Sequence, residues 1–256
     1  MTVFDTIILG IVEGITEFLP ISSTGHLILA SDLLGLPETD FLKTFQVAIQ
    51  LGAILAIVAL YWRRLLFDRT LDKKLLVALL PSLFVGLLFY PVIKQLFESS
   101  LTVVVALFVG GVILVLFELS RRGREATGNT LDTLSYRTAL GIGCFQALAV
   151  IPGVSRAGAT ILGGLALGLN RVAIVEFSFL LAVPTMLAAT TLDIWKHGSS
   201  FSLADLELLL VGFVVSFGVA ILTVTFLLRF VQTNTFIAFG VYRIVLALLF
   251  YFFILH

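Results

Sequence analysis

Residues 2–34 read TVFDTIILGIVEGITEFLPISSTGHLILASDLL. The stretch is apolar enough for a membrane, yet its centre carries Glu13, Glu17, Pro20, Ser22, Ser23 and His26. Proline breaks a helix, and irregular backbone at membrane depth survives only where it is buried in protein or lines a cavity. The stretch is therefore expected to form a re-entrant helix–turn–helix hairpin that enters and leaves on one side. No Lys or Arg precedes its apolar run, so it does not resemble a removable signal and is expected to stay in the mature protein.

The rest of the chain supports a membrane setting. Of 256 residues, 59% are hydrophobic and 12% charged, and the mean hydropathy is +1.13. Soluble domains carry roughly 25% charged residues. Sixteen basic and sixteen acidic side chains cancel, so there is no basic footprint and no nucleic-acid partner is expected. A single cysteine, Cys144, excludes a disulfide scaffold and a Cys-cluster metal site; it reads as a small packing residue.

Six stretches have the roughly 20 apolar residues a spanning helix needs: residues 41–62, 73–92, 101–119, 172–194, 206–228 and 235–255. Residues 136–169 form a second interrupted stretch, with Gln146, Pro152, Gly153, Ser155 and Arg156 at its centre. A shift of 132 places Pro20 on Pro152, Ser23 on Ser155 and Phe45 on Phe177. The order is a broken hairpin then three spans, twice. Three is odd, so the second copy is inverted. The expectation is an all-α polytopic membrane protein: six transmembrane helices plus two re-entrant hairpins in an inverted-topology repeat. It would form one domain over residues 1–256, with repeats at about 1–120 and 136–256. Such repeats place a binding site near the midplane, at their interface. Arg63, Arg64, Arg69, Lys73 and Lys74 share one side with Arg121, Arg122, Arg124 and Arg137, whereas Lys43, Lys94 and Lys196 lie opposite. Positive charge marks the cytoplasm, so both termini and the first hairpin's entry are expected outside.

Glu13 and Glu17 are four apart and share a helix face. Two carboxylates so placed at membrane depth need a proton or a cation between them. Ser22 or Ser23 is a natural cap for the second half-helix, whose free N–H groups suit phosphate. His26 follows within a turn, and a hydroxyl beside a base is the arrangement for nucleophilic attack. On the second hairpin, Arg156 supplies a permanent, bidentate cation for phosphate, and Gly153 lets backbone approach a ligand. Gln146 stands where Glu13 stands in the first copy and is expected to hydrogen-bond across the interface. Arg243, beside Tyr242 in the last span, needs a partner; Glu118 and Glu176 are the candidates, as a structural pair. There is no G-x-x-x-x-G-K-[ST] loop and no His-Glu-x-x-His or Asp-rich metal motif.

The residues from Glu13 to Leu27 (EGITEFLPISSTGHL) and from Pro152 to Thr160 (PGVSRAGAT) resemble the two signatures of the undecaprenyl-diphosphate phosphatase family, the bacitracin-resistance proteins. Residues 43–52, Trp62-Arg63-Arg64 and Tyr242-Arg243 are similar to that family's first and last spans, so the resemblance covers essentially the whole chain. The family's usual Ser-Arg-Ser is here Ser155-Arg156-Ala157.

The resemblance implies hydrolysis of undecaprenyl diphosphate to undecaprenyl phosphate and inorganic phosphate, recycling the lipid carrier of envelope polymers at the outer face of the bacterial inner membrane. It implies a divalent cation, Mg²⁺ or Ca²⁺, which Glu13 and Glu17 could hold. Bacitracin would compete by binding the substrate. A homodimer is left open. The catalytic candidates are Ser23, His26, Glu17 and Arg156, with Glu13, Ser22, Thr24, Gly153, Ser155 and Thr160 as substrate-binding candidates. Ser23 is the favoured nucleophile, with Glu17 or His26 taking its proton. The rival assignments make His26 the nucleophile or activate water directly. The alternative function is a polyprenyl-phosphate carrier or flippase on the same repeat, which needs no nucleophile.

Overall fold

The computed structural model describes residues 1–97, 99–121, 129–197 and 206–254. Arg122 and Arg124 of the charge count lie outside the described residues. The first half comprises α1 (Val3–Thr16), α2 (Ser23–Leu33), α3 (Asp40–Phe67), α4 (Arg69–Leu88), α5 (Tyr90–Phe97) and α6 (Ser100–Ser120). The second comprises α7 (Tyr136–Ala147), α8 (Arg156–Ala166), α9 (Arg171–His197), α10 (Leu206–Thr233) and α11 (Ile237–Ile254).

Polar caps set where these helices begin. The side chains of Thr2, Thr39, Asp68, Ser99, Ser135 and Ser155 each accept a backbone N–H from the first turn that follows. Each cap satisfies a donor that would otherwise be orphaned at a helix end.

Four helices are long and apolar enough to cross a bilayer, namely α3, α6, α9 and α10, and α11 is a shorter apolar helix. The protein is thus an all-helical, multi-pass membrane protein. Within the span expected at residues 73–92 the helix breaks near the far end: α4 stops at Leu88 and α5 restarts at Tyr90. Pro91 explains this, because it has no N–H to offer the carbonyl of Leu87. Cys144 is exposed rather than packed inside.

The two broken hairpins each lean on a helix of the opposite half. α1 packs on α10, α7 packs on α4, and α6 packs on α11. The first contact uses Gly10 and Gly14, spaced four apart. A Cβ on Gly14 would stand 2.7 Å from the Val219 Cβ and 2.8 Å from the Ser216 carbonyl oxygen. Small residues so spaced let helix backbones approach in membranes, where lipid provides no hydrophobic drive for association. Gly14→Val is therefore expected to destabilise the fold by about 1–3 kcal/mol through overpacking. A lower melting temperature in detergent would register it, and an unchanged one would contradict this packing account.

Candidate active site

The first turn exists because Pro20 cannot donate to the carbonyl of Thr16, where α1 ends. Glu17 caps α1 with its backbone N–H on the carbonyl of Glu13. The chain then passes Ser22 at φ 72°, and α2 starts at Ser23. The second turn is built alike. α7 ends at Ala147, a 3₁₀ turn covers Leu148–Val150, Gly153 adopts φ 92°, Ser155 adopts φ 76°, and α8 starts at Arg156. Ser22 and Ser155 are the non-glycine residues with positive φ among the described residues. Such a conformation costs about 1–3 kcal/mol and persists where the surroundings enforce it, commonly at functional sites.

The positive-φ positions of the two turns pair at a shift of 133 rather than the expected 132: Ser22 matches Ser155, and Gly35 (φ 64°) matches Gly168 (φ 89°) at the far ends of α2 and α8. At both ends the second residue past the cap donates back into the last turn, Leu36 N to Ser31 O and Leu169 N to Gly164 O. Gly153-Val154 replaces the single Ile21, one extra residue. Ser23 therefore corresponds to Arg156, not to Ser155. Each is the first residue of its second half-helix.

Those two residues converge on one carboxylate. Ser23 Oγ donates to Glu17 Oε2 at 2.6 Å, and Arg156 Nη2 donates to Glu17 Oε1 at 3.1 Å. The ion pair is well shielded, with side-chain exposures of 10% and 5%. Arg156 Nη1 donates to the Ser178 carbonyl at 2.9 Å, its Nε is buried without an acceptor, and its guanidinium carbon lies 6.0 Å from the centre of the Phe18 ring. Thr160 lies behind it, its hydroxyl 2.6 Å from that of Ser178.

Glu13 is fully buried, and neither of its oxygens has a hydrogen-bond donor. It sits one turn before Glu17 on α1. Among the described residues, no group of three or more His, Cys, Asp or Glu side chains could hold a metal ion. An orphaned buried carboxylate nevertheless fits the way Mg²⁺ binds, through one or two carboxylates with substrate phosphate and water completing its shell. Glu17 already serves Ser23 and Arg156, so Glu13 is the better donor.

His26, three residues after Ser23 on α2, is hydrogen-bonded elsewhere. Its Nδ1 is 2.7 Å from the Ser22 carbonyl, and its Nε2 is 2.7 Å from the Tyr242 hydroxyl. A carbonyl can only accept, so Nδ1 carries the proton and Nε2 takes the tyrosine hydrogen. Both ring nitrogens are engaged. Ser155 accepts from Gly158 N at 3.0 Å and acts as a cap. Ser22 makes no side-chain cap bond, and Thr24 is half-buried in the first turn of α2.

Gln146 bonds across the interface of the two halves as expected, donating to Ser82 of α4, and it also donates to Thr185 of α9. One other expectation is corrected. Arg243 pairs with neither Glu118 nor Glu176. Glu118 holds Arg171 at 2.7 Å and Glu176 holds Arg64 at 3.5 Å, while Arg243 donates only to backbone carbonyls. Ser178 and the Tyr242 contact to His26 were not legible in advance; the adjacency of Tyr242 to a buried arginine was the available signal.

Comparison with known proteins places nearly the whole chain in one family. A family model described as Bacitracin resistance protein BacA matches residues 6–249. A protein of Sulfurihydrogenibium sp. (strain YO3AOP1) named undecaprenyl-diphosphatase is 50% identical over 251 residues, covering 98% of this chain and 99% of that protein. One of the same name from Wolinella succinogenes is 50% identical over 254 residues, 99% of each chain. Another, from Aquifex aeolicus, is 47% identical over 251 residues, 98% of each. With a family model spanning residues 6–249 and relatives about half identical over nearly the full length, the chain belongs to the family of the bacitracin resistance protein BacA.

Proposed function

We propose that this chain is an integral-membrane phosphatase that hydrolyses undecaprenyl diphosphate to undecaprenyl phosphate and inorganic phosphate. The observation that carries the reading is the short Ser23 Oγ to Glu17 Oε2 hydrogen bond, with Arg156 on the same carboxylate. A hydroxyl held by a base, next to a cation that cannot lose its charge, is a nucleophile with a phosphate clamp. A carrier would need the clamp but not the nucleophile.

Ser23 Oγ attacks the terminal phosphorus, and Glu17 takes its proton. The bond from that phosphorus to the bridging oxygen breaks, and undecaprenyl phosphate leaves. Arg156 and the free N–H groups at the start of α2 and α8 stabilise the charge that spreads over the equatorial oxygens. Glu17 passes the proton it took to the departing bridging oxygen and is a carboxylate again. Water then attacks the phosphoserine with Glu17 as its base. The bond from phosphorus to Ser23 Oγ breaks, that oxygen regains the proton from Glu17, and inorganic phosphate is released. His26, with both nitrogens committed, orients the Ser22 turn rather than attacking.

A divalent cation on Glu13 would neutralise the diphosphate as it enters. Glu13→Gln is expected to raise the Mg²⁺ concentration needed for half-maximal rate by about 10-fold, the scale of losing a charged ligand contact. An unchanged Mg²⁺ dependence would remove Glu13 from that role.

In the membrane we place six spans around two re-entrant hairpins, as an inverted repeat. The exchanged packing of α1 on α10 and α7 on α4 supports this, as do the matched positive-φ turns at Ser22 and Ser155. The Lys/Arg asymmetry supports a site open to the outer face of the bacterial inner membrane, with both termini on that side. Bacitracin would then act by sequestering the lipid substrate. The test is phosphate release by detergent-purified protein given undecaprenyl diphosphate with Mg²⁺ or Ca²⁺. Release is expected. A folded protein that binds the lipid and releases none would favour the carrier.

A further inference from the structure

Arg243 is 2% exposed, is among the largest buried side chains, and has no carboxylate partner among the described residues. Its guanidinium instead gathers four backbone carbonyls. Nη1 donates to Pro20 O at 3.3 Å and Nη2 to Gly153 O at 3.0 Å; Nη2 also reaches Ala106 O at 3.1 Å, and Nε reaches Leu107 O at 3.3 Å. The first two acceptors belong to the two hairpin turns, and the other two to α6. Breaking a helix leaves carbonyls without partners, and membrane depth offers no water to satisfy them. One cation satisfies an acceptor in both turns.

The acceptors are equivalently placed. Pro20 lies three residues before Ser23, and Gly153 lies three residues before Arg156. The guanidinium is planar and rigid, with its donors in a fixed fork. Its two outer nitrogens therefore hold one turn relative to the other. Gly110 makes room for it, because a Cβ there would collide with Arg243 Nη2.

We propose that Arg243 is a positioning residue for the phosphoryl-transfer reaction: by bridging the Pro20 and Gly153 carbonyls, it sets the distance between Arg156 and the Ser23/Glu17 pair. This rests on the phosphatase reading of that pair. Arg243 touches no reacting atom. It acts through the relative placement of two half-helices, on which in-line transfer depends.

Arg243→Lys keeps the charge but has a single nitrogen, which cannot serve both turns. It is expected to lower kcat by about 10- to 100-fold with KM changed less than about threefold, because misplacement by about 1 Å can cost 100-fold. The same substitution in an Arg156→Ala background is expected to cost less than about threefold, since the distance it sets no longer matters. Equal losses in both backgrounds, or wild-type kcat in the single variant, would overturn the proposal. If Arg243→Lys does not fold, Gly110→Ala is read the same way, per folded molecule. A kcat loss confined to the Arg156 background supports the proposal, and unchanged kcat overturns it. Absence of phosphate release by the wild type would bring down the phosphatase reading and this inference together, whereas wild-type release with equal losses would overturn the inference alone.

Discussion

Arg156→Ala is expected to lower kcat/KM for undecaprenyl diphosphate by at least about 100-fold, the scale of losing one preorganised electrostatic contact. Two effects combine. The phosphoryl oxygens lose the permanent cation in the turns, and Glu17 loses its ion-pair partner in a shielded position. Removing one member of a buried pair costs about 3–5 kcal/mol of stability, because the other charge is left uncompensated. The rate must therefore be normalised to folded protein. Arg156→Lys is not expected to restore activity: one ammonium cannot hold Glu17, the Ser178 carbonyl and a phosphoryl group as a planar fork does. Rates within threefold of wild type for Arg156→Ala would remove the second hairpin from the chemistry.

Ser23→Ala is expected to have the larger effect, a loss of about 10³-fold or more in kcat, as removal of a nucleophile does elsewhere. Ser22→Ala provides the contrast. Ser22 makes no side-chain cap bond, and only its carbonyl is used, by His26. It keeps that carbonyl as alanine, and the Cβ strain at φ 72° is already present in the serine, so its loss should be far smaller. Comparable losses in the two variants would mean that the Ser22 and Ser23 hydroxyls act alike, as phosphate ligands and not as nucleophile and bystander.

The hairpins were legible because Pro20 and Pro152 fall in apolar runs beside both hydroxyl and ionisable side chains, whereas Pro81 and Pro184, without ionisable neighbours, sit inside continuous helices. The carboxylate pair and Arg156 stood out because ionisable groups at membrane depth must meet one another or a ligand. The pairing of Ser23 with Arg156 was not legible. Anchoring the shift on Pro20 and Pro152 gave 132, and the extra residue that Gly153-Val154 supplies after the second proline moves Ser23 onto Arg156. The partners of Arg243 were hidden for a different reason. A sequence displays acids as partners for a buried cation, but its backbone carbonyls are the same everywhere, and only the fold decides which are orphaned. Glu118 and Glu176 looked available because Arg171 and Arg64, which hold them, lie far off along the chain. Pro91, by contrast, was in plain view and marks the stop of α4.

The most direct test of Ser23 as nucleophile is an acid quench of the enzyme during turnover of undecaprenyl diphosphate, followed by mass spectrometry of the peptide that contains residues 18–26. The account predicts a phosphoryl adduct on Ser23, present in the wild type and absent from Ser23→Ala. Phosphate release with no covalent adduct at any time point would contradict it, as would an adduct on His26.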